Sequence, residues 1–205
     1  MTQKITLVIT LLLTSLSAFS QLDGQWSIEG NYGVGFASRP SLKSDGTINC
    51  ATRYMFDEFW GVKGDFAFEK FRTDERIPTG VDYFRISAQA VYNIGRALEW
   101  PAYTDGYING LLHAGLGYSH FSSTVTTNDD NMGNIIIGFT PQFQLSERVA
   151  IQADASYIVH IRQHFDYDGY YHFPGPPKPF IGGQYNLTFG LVIYLGRTSS
   201  DYDWR

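Results

Sequence analysis

Tyr185-Asn186-Leu187-Thr188-Phe189-Gly190-Leu191-Val192-Ile193-Tyr194-Leu195 carries a large apolar residue at every second position. Tyr185, Leu187, Phe189, Leu191, Ile193 and Leu195 therefore share one face of an extended strand, and Asn186, Thr188, Gly190 and Val192 share the other. One face is greasy and the other is mostly polar or small. The same alternation recurs in seven upstream segments, beginning near Trp26, Ile48, Trp60, Phe84, Ile108, Ile135 and Val149. Each run has about the 9 to 11 residues that a tilted membrane strand needs. The expected fold is all-β: an eight-stranded antiparallel up-and-down transmembrane β-barrel, with its greasy side toward lipid.

The links support this reading because short and long ones alternate. Three-residue connections, Asp57 to Phe59 and Ser146 to Arg148, are expected on the periplasmic side. Long ones are expected outside, at Ala37 to Thr47, Arg72 to Val81, Ser122 to Asn131 and Asp166 to Gln184. Gly95 to Gly106 is too long for its side and predicts an extra turn or helix. Pro141 cannot donate to a ladder and suggests a bulge. Aromatic residues fall where lipid headgroups belong, with Trp26, Phe56, Trp60, Tyr92 and Phe143 at the periplasmic ends and Phe36, Phe68, Phe84, Tyr118 and Tyr185 near the outer ends.

Residues 1–20 read as a signal peptide: Lys4, an apolar run from Ile5 to Leu13, then the small residues Ala18 and Ser20. The barrel is expected over 21–196 and a short polar periplasmic tail over 197–205. Cys50 is the single cysteine, which leaves no disulfide framework and no lipidated cysteine after the cut. Without Lys4 the net charge is about -6, which argues against nucleic acid as a partner.

By strand parity Glu29, Arg53, Lys63, Asp65, Glu69, Arg85 and Asp154 all point inward. Enclosed charges require partners, so these residues are expected to form a lumen charge network of opposite-sign pairs. An eight-stranded interior is only wide enough to be filled by side chains, which favours a static polar plug over a charge-gated channel. His160, Arg162 and His164 share one face at strand spacing, followed by Asp166, Asp168 and His172, but the spacing matches no tight metal signature and reads as a rim. Ser119 and His120 are adjacent on a strand and point to opposite faces, so they do not make a catalytic dyad. No catalytic residue, cofactor or metal is expected. The last loop, with Tyr167, Tyr170, Tyr171, His172 and Phe173 and then four prolines before Phe180, suits recognition of a surface partner or glycan, or else folds over the barrel mouth.

Three stretches resemble the small outer-membrane barrels of the OmpA type, in particular their N-terminal membrane domain: Leu111 to Tyr118, Ile136 to Tyr157 around the turn at Leu145 to Arg148, and Leu187 to Gly196. The resemblance implies a compact barrel with a filled or narrow lumen and mobile outer loops. Thr188, Gly190, Ile193 and Leu195 are similar to the closing signal read by the barrel-assembly machinery, although Arg205 stands where a terminal aromatic is usual. The peptidoglycan-binding domain of full-length relatives is not carried over. The expectation is a monomer in the outer membrane of a Gram-negative bacterium, in contact with its lipid and lipopolysaccharide, with a structural or surface-interaction role. Its rivals are a small porin, an outer-membrane lipid-modifying enzyme and a soluble lipocalin-like binding barrel.

Overall fold

The computed structural model describes residues 24–127, 129–173 and 178–195. The expected signal peptide and polar tail lie outside these residues. Eight strands run in order: β1 (Gln25–Ala37), β2 (Ser44–Met55), β3 (Trp60–Arg72), β4 (Gly80–Asn93), β5 (Ile108–Ser123), β6 (Asp129–Ser146), β7 (Val149–Gln163) and β8 (Phe180–Leu195). Each pairs antiparallel with its sequence neighbours, and β8 returns to β1 through a ladder from Trp26 opposite Leu195 to Ala37 opposite Gln184. Closure leaves no edge strand and satisfies the backbone inside the sheet, as a hydrocarbon surround requires.

Parity sorts the side chains as the alternation predicts. Ile48, Phe66, Ile86, Leu116, Ile137 and Phe189 project from the outer wall and are exposed, while six of the seven predicted lumen charges are buried and the seventh, Asp154, is half-buried. Among the described outward strand positions, charge appears only toward the end bearing the longer β1–β2, β3–β4 and β7–β8 links, at residues such as Lys70 and Asp82. A lipocalin-like barrel has the opposite arrangement, apolar within, and is excluded.

The interior is layered. At the end holding the first residue of β1 and the last of β8, here the terminal end, Met55, Val91 and Leu111 form one apolar cluster and Ala150, Val192 and Tyr194 another. At the opposite, loop end lies a third cluster that includes Phe71, Tyr83, Phe121 and Tyr167. The charged layer sits between these seals.

The link after β4 contains two short helices, α1 (Ile94–Ala97) and α2 (Trp100–Tyr103), in agreement with the expected extra structure. The Asn93 side chain caps α1 by accepting from the Arg96 N–H at 3.0 Å. The turn between β2 and β3 is closed by Asp57 Oδ1, which accepts from the N–H groups of Phe59 and Trp60 at 2.7 and 2.6 Å.

Three expectations require correction. The loop-end links are shorter than the sequence suggests, at 38–43, 73–79 and 124–128, because the strands continue into the polar rim, where a ladder is satisfied whether or not lipid surrounds it. Pro141 makes no bulge: it stays in register with Gly110, and the β6–β7 register is the same on either side of it. The irregularity lies at Gln144/Ser146, beside the hairpin turn. Finally, His160, Arg162 and His164 do not share a face. A bulge between Ile161 and Gln163 places Arg162 at φ 66°, turns its side chain out and sends Gln163 inward. His160, expected at a wet rim, is fully buried.

Candidate functional site

Strand pleating brings the seven charged residues together without any help from loops. The Arg53 Nε donates to Glu29 Oε1 at 2.9 Å, and Arg85 Nη2 to Asp65 Oδ2 at 2.9 Å. Lys63 Nζ lies 4.0 Å from Asp154 Oδ2. Glu69 departs from the expected pattern: among the described residues it has no ion pair within 4.0 Å. Its Oε1 instead accepts from the side-chain amides of Gln184, at 3.0 Å, and Asn186. Gly35 makes room for it, since a Cβ there would lie 2.2 Å from Glu69 Oε2.

Neutral side chains join the pairs into a belt. Gln152 Nε2 reaches Glu29 Oε2 at 3.2 Å and Asn31 Oδ1 at 2.9 Å. Asn31 then donates to Asn49, and Asn49 to Asp65, each at 3.0 Å. Ser87 donates to Asp65 Oδ1, and Gln89 Nε2 donates to Ser87 Oγ at 2.7 Å. His113 bridges onward, with Nδ1 2.6 Å from Gln89 Oε1 and Nε2 2.8 Å from Asp154 Oδ2. Thr140 and Ser156 complete the coordination of Asp154. The belt crosses seven of the eight strands, and Glu69 ties β3 to β8. Attraction between opposite charges is strong in such an enclosure, and the amides occupy the remaining lone pairs that would otherwise be costly. His113, Asn31, Asn49 and Gln152 also point inward by strand parity, but they carry no formal charge at the sequence level and so fall outside the expected charge network.

The loop after β7 folds back over the loop end. Asp130, a β6 residue only 3% exposed, accepts from the backbone N–H groups of His164 and Phe165 and contacts His164 Nδ1 at 2.8 Å. Gly169 takes φ +88°, a conformation that suits glycine, and its carbonyl accepts from Ser123 Oγ at 2.7 Å. These attachments hold Tyr167 inside the barrel, where its ring lies 4.7 Å from Phe71 and 5.0 Å from Phe121. Burial pushes the Tyr167 phenol well above its ordinary range, so it stays protonated and donates to Gln184 Oε1 at 2.8 Å. Tyr167 is therefore a buried packing residue, not the exposed recognition residue expected from composition. Tyr170 and Phe173 are exposed, at 50% and 38%, whereas Tyr171 and His172 are half-buried. His172 Nδ1 faces the Asp166 carboxylate at 2.9 Å, and its ring lies 4.3 Å from that of Phe180.

Tyr167→Ala is expected to destabilise the folded barrel by about 2 kcal/mol, below the roughly 3–5 kcal/mol of a buried aromatic deletion because a loop can resettle. Tyr167→Phe is expected to cost about 1 kcal/mol, the worth of one hydrogen bond. Denaturant unfolding from lipid vesicles measures both, and equal losses would show that the hydroxyl rather than the ring holds the loop.

Ser119 Oγ points inward and donates to Tyr83 Oη at 2.9 Å, while His120 Nδ1 lies 2.9 Å from Asn131 Oδ1 on the opposite face. The pair stays apart, as the parity argument requires. Among the described residues, no group of three or more His, Cys, Asp or Glu residues is arranged to hold a metal.

A closed eight-stranded meander with an apolar wall and a polar, hydrogen-bonded interior defines a transmembrane β-barrel. The chain belongs to the family described as outer membrane protein beta-barrel domain, whose model matches residues 6–203. It is an OmpA-like barrel of the outer membrane. Among solved structures it is similar to Neisserial surface protein A, with a TM-score of 0.57 and 14% identity over 82% of this chain and 96% of that one. OprG from Pseudomonas aeruginosa gives 0.51 and 12% identity over 85% and 97%. The N-terminal β-barrel domain of OprF from the same organism gives 0.50 and 12% over 84% and 99%. No curated protein matches the sequence.

Proposed function

We propose that this chain is a closed-lumen outer-membrane barrel with a structural and surface-interaction role in the envelope. The observation that carries this reading is the continuous belt from Glu29 to Asp154 beneath the Tyr167 cover, which occupies the path an ion would take. In this reading the barrel is a monomer in contact with outer-membrane lipid and lipopolysaccharide along its wall, inserted by the barrel-assembly machinery after signal-directed export. The exposed Tyr170 and Phe173 would meet a surface partner or glycan. It performs no chemistry: the separation of Ser119 from His120 supports that view.

The small-porin alternative differs in a measurable current. Purified barrel reconstituted in a planar lipid bilayer is expected to give little or no steady conductance. A large and stable conductance would overturn the closed lumen and favour the porin.

A further inference from the structure

Trp100 lies on the outside of the barrel. Residues Ile108, Gly110 and Leu112 form the outward row of β5, and Phe139 belongs to that of β6. The Trp100 ring sits over this wall, with its centroid 6.4 Å from that of Phe139 at 88°. A Cβ on Gly110 would lie 2.7 Å from Trp100 Cζ3, so the missing side chain is what seats the indole. Tyr107, four residues past α2, stacks on outward Phe143 at 6.0 Å. Nearby, Tyr103 is 81% exposed and Leu98 52% exposed. This link presents aromatic and aliphatic side chains beside the lipid-facing wall, at the height where Trp60 and Tyr92 pack together on β3 and β4. Trp and Tyr favour the membrane interface because their rings combine an apolar body with a polar tip.

We propose that the link between β4 and β5 is an interfacial membrane anchor, with Leu98, Trp100 and Tyr103 seated at the headgroup–acyl boundary of the phospholipid leaflet on the terminal side. The occupant is lipid because the patch is continuous with the lipid-facing wall through Phe139 and Phe143. Gly110 leaves a gap in the aromatic girdle on β5, and Trp100 fills it from the link. The Arg96–Glu58 ion pair, at 3.0 Å, ties α1 to the neighbouring turn and holds the anchor at one height.

The test uses the full chain with Trp26→Phe, Trp60→Phe and Trp204→Phe, which leaves Trp100 as the sole indole. It is folded into phosphatidylcholine vesicles whose acyl chains are brominated either near the headgroup or near the chain end. Bromines near the headgroup are expected to cut the emission about twofold or more, and those at the chain end distinctly less. Quenching by neither, or stronger quenching from the chain end, would overturn the proposal. An independent measurement does not depend on the triple variant: a nitroxide at Tyr103→Cys in a Cys50→Ser background. The label is expected to relax faster with membrane-dissolved oxygen than with an aqueous nickel chelate. The reverse order would place the link in water or against a protein partner and overturn the anchor.

Discussion

Arg53→Ala is expected to destabilise the folded barrel by about 3–5 kcal/mol, the range for removing one partner of a buried ion pair. Arg53 and Glu29 are 1% and 3% exposed, and their contact sits above the seal formed by Ala150, Val192 and Tyr194. Removal of the guanidinium leaves the Glu29 carboxylate with Gln152 as its hydrogen-bond donor among the described residues. It also removes the cation that lies 6.0 Å over the Tyr194 ring. The double variant Arg53→Met with Glu29→Gln is expected to recover most of the loss, because two neutral groups of similar volume carry no unpaired charge. Guanidinium unfolding in lipid vesicles reads both midpoints. If the double variant is as unstable as the single, volume rather than charge pairing holds this layer. Conductance should follow the same order, with leakage through Arg53→Ala and none through the native chain.

Phe189→Arg tests the other face. Phe189 is 62% exposed on the wall near the middle of β8, opposite Tyr32 on β1 and Ala153 on β7. A cation near the bilayer midplane costs about 2–4 kcal/mol, and at the interface only about 0–1. Ile181, 73% exposed on the same row at the start of β8, supplies the interfacial comparison. The expected result is a large loss of folded protein for Phe189→Arg and a small one for Ile181→Arg, read as the fraction that keeps the compact gel mobility of an unboiled barrel. Equal losses would sink the assigned height of the membrane zone.

Period-two alternation made the barrel legible before any coordinates, because in a two-sided sheet each residue must choose lipid or lumen. Leu187, Phe189 and Leu191 on one side and Asn186 and Thr188 on the other leave little freedom of register. The same rule placed Glu29, Arg53, Asp65 and Arg85 inside. It failed at Arg162, where one extra residue reversed parity and moved His160, Arg162 and His164 apart; a bulge leaves no periodic trace. Tyr167 was beyond reach for a different reason. Its depth is set by Asp130, Ser123 and Gly80 on other strands, and loop composition says nothing of such distant supports. Glu69 shows a subtler limit. Charge counting anticipates a cation, yet amides from β8 and the space left by Gly35 accommodate it instead.

The unequal anchoring of the rim loops bears on how such a barrel can diversify. The tip at 74–78 is exposed, and beneath it Thr73 N–H donates to the Thr79 carbonyl at 2.8 Å, so the strands are tied before the tip begins. Extra residues there add only closure entropy, about 0.6 kcal/mol for each doubling in length. The segment from His164 to Tyr171 has no such freedom, because Asp130 and Ser123 fix its ends while Tyr167 occupies the interior. Lineages under pressure to alter their exposed surface can therefore lengthen or recode the first of these loops cheaply, whereas indels in the second expose the barrel interior.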